Sequence, residues 1–265
     1  MSNTIHERRI SMPSSFFDYQ SPDVFHAYST AHLIQIAILM ILSLLMFTLR
    51  FAIKRKASAK RTIRYLIVAM LILSEVTLNI WYVSQGIWRA QTSLPLELCS
   101  VTLLLAIIML LTRSRLLYSI VFFAGITGAL QAVLTPSLDY TYPHFRFLQF
   151  FIAHFGIILS ALYMTWIEDY RPTWKSIGVA LIFLNVLAII VGIINYIIGS
   201  NYMFLMHKPL TPSILDWLGP HPYYLLFEQG IALLFFTLLH LLFFVLPSSW
   251  KQHSLKNNSK EKSYL

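Results

Sequence analysis

Long apolar segments, separated by short polar ones, run through most of the chain. Each has about 20 residues without a period-two alternation, which is the length that a helix needs to cross the hydrocarbon core of a bilayer. Backbone groups inside a bilayer must pair within the protein, so segments of this kind are helical. The pattern predicts seven spans, at residues 29–50, 63–84, 94–112, 115–135, 146–168, 174–199 and 223–246.

The predicted fold class is an all-α, polytopic membrane protein with seven transmembrane helices in one domain. Residues 1–28 form an extracytoplasmic N-terminal segment, 29–246 the transmembrane domain and 247–265 a basic cytoplasmic tail. Spans three and four are joined by only a few residues around Arg113, so we expect them to form an antiparallel pair. The first 28 residues are polar and aromatic, and no signal peptide is expected.

Composition and charge agree with a membrane protein. The chain is 57% hydrophobic and 12% charged, which is too apolar for an ordinary soluble domain. Its net charge of +9 reflects topology, because 15 of the 20 Lys and Arg residues lie on one side of the predicted spans. Basic loops are typically cytoplasmic, so the N-terminus is predicted outside and the C-terminus inside. This charge does not indicate a nucleic-acid partner, although contact with anionic lipid head groups is expected.

Polar side chains within the predicted spans concentrate in the outer half of the bundle. Buried polar groups in membranes commonly mark a pathway or site. We predict an outward-facing polar cavity, roofed by the loops 136–145 and 200–222. The candidate lining residues are His32, Glu75, Asn79, Glu97, Gln131, Gln149, Asn195 and Glu228.

Structural roles are the alternative for these lining candidates. Amides hold helices together through hydrogen bonds, and helix ends are more hydrated than helix centres. His32 lies near a helix end, where capping or interfacial placement explains it. Glu75 and Asn79 are four residues apart on one helix face, so a hydrogen bond between them is expected.

Cys99 and His154 are the candidate catalytic residues. Both are predicted near the outer end of their spans, with His154 about 12 Å deep at 1.5 Å per residue. An imidazole beside a thiol can remove its proton and produce a nucleophile. An isolated buried cysteine, in contrast, is an inert apolar group, and His154 could equally be a structural histidine. A single cysteine also excludes an internal disulfide and a cysteine-rich metal site, and we expect no metal and no cofactor.

The segments around these two residues resemble a known family. Residues 94–100 (LPLELCS) resemble the L-P-L-x-L-C segment of the YwaF-type bacterial integral membrane proteins. Residues 25–32 (FHAYSTAH), 134–136 (LTP) and 149–154 (QFFIAH) are similar to that family's first-helix and fifth-helix segments. The family is distantly similar to the animal transmembrane protein 164, which is regarded as an acyltransferase that moves an acyl chain between phospholipids through a cysteine and a histidine.

The resemblance implies a lipid acyltransferase, or an acyl-ester hydrolase, in the bacterial plasma membrane. Cys99 would form an acyl-thioester with His154 as general base, taking phospholipid from the outer leaflet and passing the acyl group to a lysophospholipid or to water. Oxyanion donors would come from Asn79, Gln131 or a backbone N–H near Pro95. Two alternatives remain: a non-enzymatic transporter that uses the polar cavity, and a seven-helix sensor in which His154 and the carboxylates respond to protons. Only the enzyme requires the thiol.

Overall fold

The computed structural model describes residues 16–20, 25–208 and 217–247. Within these ranges the chain is helical and forms no strand, which confirms the predicted all-helical fold. The helices are α1 (Thr30–Arg55), α2 (Ala57–Ser84), α3 (Leu98–Thr112), α4 (Arg115–Leu134), α5 (Phe145–Trp166), α6 (Trp174–Ile198) and α7 (Tyr223–Val245). The predicted C-terminal tail and most of the predicted N-terminal segment lie outside the described residues.

Six of these helices are long and apolar enough to cross a membrane, and α3 is shorter, with 15 residues. The predicted third span began at residue 94, whereas α3 begins at Leu98. Pro95 accounts for the difference, because it has no N–H and disfavours a helical conformation at the residue before it. The N–H of Leu96 instead donates to the Leu94 carbonyl at 2.8 Å. Cys99 therefore lies in the first turn of the helix.

The basic segment after the first span is helical rather than a loop. We predicted a connection between residues 50 and 63, but α1 continues to Arg55 and α2 begins at Ala57, so that Lys56 alone separates them. Lys and Arg are good helix formers, and their long side chains carry the charge beyond the apolar layer. Apart from Lys56, the basic residues of this segment therefore lie in the last turns of α1 and the first turns of α2.

The junctions α1–α2, α3–α4 and α5–α6 meet at one end of the bundle, which we call the basic end. Lys54 pairs with Asp169 at 2.6 Å, and Lys60 pairs with Glu168 at 3.0 Å. Both pairs tie the α1–α2 junction to the segment after α5. α3 and α4 pack against each other, as expected for an antiparallel pair with a short connection.

The central helix is α5. In its most apolar window 83% of the residues are buried, against 6% in α1 and 11% in α7. It packs against α1, α2, α3 and α4. The peripheral helices α1, α6 and α7 present many exposed Leu, Ile and Phe side chains, a surface suited to lipid.

Gly156 allows α2 to approach α5 closely. A Cβ at this position would lie 2.5 Å from Leu71 Cδ2 and 3.2 Å from Met70 Cε, and Leu71 is fully buried. Because helices in membranes pack through small residues, we expect Gly156→Ala to lower the free energy of unfolding by about 1–3 kcal/mol. The measurement is the unfolding midpoint of the purified protein in detergent.

Gly178→Ala in α6 is the matched control. A Cβ there would have no neighbour within 4 Å, so the substitution should leave stability unchanged or raise it by up to about 1 kcal/mol. Equal losses for the two variants would contradict the role assigned to Gly156.

Candidate functional site

Cys99 is held at the uncapped amino end of α3. Glu97 is the N-cap residue, and its side chain makes no capping hydrogen bond. The Val101 N–H donates to the Glu97 carbonyl, so the N–H groups of residues 98–100 precede the first helical hydrogen bond. These groups and the partial positive charge of the helix end favour anions, including a thiolate or an oxyanion.

The Cys99 thiol faces α4. A Cβ built on Gly128 would lie 3.9 Å from Cys99 Sγ and 3.4 Å from Leu98 Cδ2, so the absence of a side chain there leaves room beside the sulfur. The cysteine is free and half-buried. Its thiol forms no hydrogen bond with any residue that the structure describes.

His154 lies on the central helix with one ring nitrogen already bonded. Its side chain is 7% exposed, and Nδ1 is 2.6 Å from the Phe150 carbonyl oxygen. A carbonyl only accepts, so Nδ1 carries the proton and Nε2 keeps its lone pair. The Phe150 ring lies 4.2 Å from the imidazole, centroid to centroid, and holds its orientation. Nε2 is therefore the nitrogen available to remove a proton.

Helices α3, α4 and α5 meet at Gly125. A Cβ on Gly125 would lie 3.1 Å from Ile157 Cγ2 on α5 and 3.7 Å from Thr102 Cβ on α3. α3 and α5 also pack against each other. The three helices are thus in register at the level of Thr102 and Ile157.

Cys99, Gly128 and His154 lie one helical turn farther from the basic end than Thr102 and Ile157, and the same register relates them. Cys99 precedes Thr102 by three residues, and His154 precedes Ile157 by three residues. Since α3 and α5 run in the same direction, equal steps along both reach an equal level. The thiol and the imidazole therefore lie at one level on neighbouring helices. No hydrogen bond joins them in the described part of the chain.

Two lining candidates serve as ties between helices. The Nε2–H of the fully buried His32 donates to the Val133 carbonyl at 2.7 Å, and its Nδ1 accepts from the Tyr28 N–H at 2.9 Å. Gln149 donates to the Ser74 carbonyl at 3.1 Å and accepts a hydrogen bond from Arg146. Both polar groups of each side chain are thus bonded within the framework.

The pair Glu75 and Asn79 forms the hydrogen bond expected from its spacing. The Asn79 amide donates to the Glu75 side chain at 3.3 Å and to the Glu75 carbonyl at 3.0 Å. This amide is therefore engaged on its own helix. Gln131 is exposed and Glu228 is half-buried, and neither side chain has a hydrogen-bond partner among the residues described here.

Glu97 and Asn195 contact the loop after α6. The Glu97 carboxylate accepts from the Met203 N–H at 3.1 Å. The buried Asn195 amide donates to the Tyr202 carbonyl at 2.9 Å, and its oxygen accepts from the Tyr202 N–H and the Ser200 hydroxyl. These bonds place part of the predicted roof over the start of α3.

Sequence reasoning missed Tyr202 and Gly128. The Tyr202 hydroxyl donates to the Ala90 carbonyl and accepts from the Leu94 N–H, each at 2.8 Å, and so holds the segment that precedes Cys99. No local pattern marks this tyrosine. Gly128 could have been noticed, because Ala124 and Gly128 form a small-xxx-small pair in a membrane helix. The described ranges contain no group of three His, Cys, Asp or Glu side chains that could hold a metal ion.

Comparison with known proteins gives one result. No curated protein and no solved structure matches the chain. The sequence pattern of the TMEM164 family matches residues 27–240. This match begins just before α1, ends within α7 and includes both Cys99 and His154. Because it covers most of the chain, the protein belongs to the TMEM164 family.

Proposed function

We propose that this protein is a membrane-embedded phospholipid acyltransferase, or acyl-ester hydrolase, with Cys99 as nucleophile and His154 as general base. The observation that carries the proposal is the common level of the two residues on packed helices. The uncapped helix end beneath the thiol and the free Nε2 of His154 support it further. The match to the TMEM164 family and the resemblance to the animal transmembrane protein 164, which is regarded as an acyltransferase, also support it.

The proposal includes the topology of the chain. α3 is the shortest span and is completed by the non-helical residues 94–97, which bond to the loop that carries Tyr202 through the Leu94 N–H and the Glu97 carboxylate. Non-helical backbone is tolerated at membrane depth where protein covers it. With α3 counted, the seven spans would end on opposite sides of the membrane. If the basic end is cytoplasmic, as basic loops usually are, the N-terminus is outside the bacterial cell and the C-terminus is in the cytoplasm.

In the first half-reaction the Cys99 thiol transfers its proton to His154 Nε2. The thiolate attacks the ester carbonyl carbon of the phospholipid, forming a C–S bond and an oxyanion. The C–O bond to the glycerol then breaks, and the imidazolium gives its proton to the departing alkoxide. The products are an acyl-thioester on Cys99 and a lysophospholipid.

In the second half-reaction His154 Nε2 removes the proton from the hydroxyl of a lysophospholipid, or from water. The new alkoxide or hydroxide attacks the thioester carbonyl, the C–S bond breaks, and the proton returns to the Cys99 sulfur. The overall exchange is one ester for another, or hydrolysis of one ester, and it requires no acyl-CoA and no cofactor.

We assign the oxyanion donors to the backbone N–H groups of residues 98–100. They lie at the helix end that carries the sulfur, and no helical carbonyl precedes them as a partner. Asn79 was an alternative, but its amide already donates to Glu75. Gln131 stays a weaker candidate because its exposed side chain is not held by any described residue.

The test is covalent labelling of the purified protein in detergent with a phospholipid that carries an alkynyl acyl chain. We expect the wild type to acquire the label, and peptide mapping to find it on Cys99. Neutral hydroxylamine should release it, as it does a thioester. Ser100→Ala, which changes the adjacent residue, should label as the wild type does.

Absence of label on the folded wild type, across phosphatidylethanolamine, phosphatidylglycerol and phosphatidylcholine probes, would contradict the enzyme. The transporter and sensor alternatives would then be favoured, because neither uses the thiol. Label on a residue other than Cys99 would reject the assigned nucleophile.

A further inference from the structure

A cavity of about 230 Å³ opens at the basic end of the bundle. It lies between the start of α2, the end of α3 and the segment after α5. Its lining residues are Ala57, Lys60, Arg61, Arg64, Arg113 and Glu168. The 15-residue length of α3 separates it from Cys99 by about 20 Å, so it is distinct from the proposed catalytic site.

Glu168 is the one carboxylate among the described residues that line the cavity, and it already has partners. Glu168 accepts from the Tyr163 hydroxyl at 2.8 Å and pairs with Lys60 at 3.0 Å. Glu168 lies beyond the end of α5. Burial alone would raise its pKa, but hydrogen bonds from Tyr163 and Lys60, with the charges of Lys60 and Arg113, lower the pKa below the ordinary value. Glu168 and Lys60 thus neutralise each other.

Arg64 is the unusual member of the cavity. Its side chain is 7% exposed, and its Nε is buried without a hydrogen-bond partner among the described residues. The Tyr65 ring lies 5.2 Å from the guanidinium carbon, centroid to atom, and offers no hydrogen-bond acceptor oxygen there. A buried N–H without an acceptor is unfavourable, because it has lost its hydration without replacement. The structure therefore has a desolvated donor that lines an open cavity.

Two further guanidinium groups stand at the rim. Arg61 is exposed on α2, one turn before Arg64. Arg113 ends α3 in the left-handed conformation (φ 55°, ψ 34°), and its carbonyl accepts from the Tyr170 hydroxyl at 2.6 Å. The backbone that carries Arg113 is thereby fixed beside the cavity. After Glu168 is paired with Lys60, three positive side chains share this space.

We propose that the cavity binds a phosphate group, with Arg64 as the buried donor and Arg61 and Arg113 as rim donors. The planar guanidinium donates two parallel hydrogen bonds to phosphate oxygens, a geometry that Lys does not offer. A dianionic phosphate would balance two of the three charges, and the monoanionic phosphodiester of a lipid would balance one. The group belongs either to the head group of an anionic lipid or to a soluble phosphate. Basic pockets at the cytoplasmic ends of membrane helices bind such head groups.

The test measures thermal unfolding of the full-length protein in lipid-free detergent. Three additives are titrated separately: dioleoyl phosphatidylglycerol, inorganic phosphate, and dioleoyl phosphatidylcholine as a zwitterionic reference. We expect stabilisation by one of the two anions at concentrations where phosphatidylcholine has no effect. Native mass spectrometry of the same samples gives the bound mass, which identifies the lipid or the phosphate as the source.

Arg64→Gln and Arg61→Gln should each weaken anion binding by about 10–100-fold, the loss expected for charged hydrogen bonds. Arg61 is exposed, so its variant tests the site even if Arg64→Gln fails to fold. Lys175→Gln is the matched control, because Lys175 is an exposed cation at the same end and outside the cavity. It should bind as the wild type does.

Three results would overturn the proposal. They are equal effects of phosphatidylcholine and both anions, wild-type affinity in Arg61→Gln, and an equal loss in Lys175→Gln. The labelling of Cys99 does not enter this measurement, so the anion site and the proposed catalytic function succeed or fail separately.

Discussion

Replacing Cys99 with alanine is expected to reduce acyl transfer by at least about 10⁴-fold. The substitution removes the sulfur that forms the thioester and leaves the helix end and His154 in place. Transfer of a radiolabelled acyl chain from phospholipid to lysophospholipid, in proteoliposomes at saturating donor, gives kcat. Cys99 is free and half-buried, so its replacement by alanine should leave the protein folded. A loss of this size would therefore reflect the missing nucleophile.

Cys99→Ser is the informative companion variant. Serine keeps the shape of the side chain, but its hydroxyl is far less acidic than a thiol and is a poorer nucleophile without stronger base assistance. We expect a severe loss of rate, and any residual acyl-enzyme should be an oxygen ester that resists neutral hydroxylamine. Wild-type transfer in Cys99→Ala would remove the thiol from the mechanism.

Replacing His154 with alanine is expected to reduce kcat by about 10²–10⁴-fold, the usual contribution of a general base. Because Nδ1–H donates to the Phe150 carbonyl, Nε2 has the lone pair that can accept a proton. The variant should also react more slowly with iodoacetamide at Cys99, because the thiol has lost the base that generates its thiolate. This second readout separates proton transfer from packing.

His240→Ala is the matched control for His154. His240 is also a buried histidine of a membrane helix, 5% exposed, but it packs on Trp174 at the basic end with ring centroids 4.4 Å apart. Its loss should change kcat by less than about threefold. Added imidazole should restore part of the rate in His154→Ala and none in Cys99→Ala. Equal losses in both histidine variants would indicate a structural role for His154.

Most of the helical architecture was predictable from the sequence. A membrane span is a property of one continuous segment, because its length and apolar composition decide whether it can cross the hydrocarbon core of the bilayer. Local hydrogen bonds are equally accessible, and the bond between Asn79 and Glu75 follows from a spacing of four residues. The late start of α3 was also encoded locally, in Pro95, but the apolar run around it concealed the signal.

Contacts between distant segments were not predictable. His32 looked like a polar residue that could line a cavity, and its partner is the Val133 carbonyl, 101 residues away. Arg64 looked like one basic residue among many, and its isolation depends on where α3 and α5 end. A hydropathy pattern records how apolar each face of a helix is, but not which helix covers it.

The sequence by itself determined that the chain is a helical membrane protein, that its basic residues gather near alternate helix ends, and that it has one thiol. Only the tertiary structure decided that Cys99 stands level with His154. That level is set by the close packing of Thr102 and Ile157 around Gly125, where a side chain is absent. The physical reason is that register between helices depends on side-chain shape across three segments, which the order of residues in any one of them does not contain.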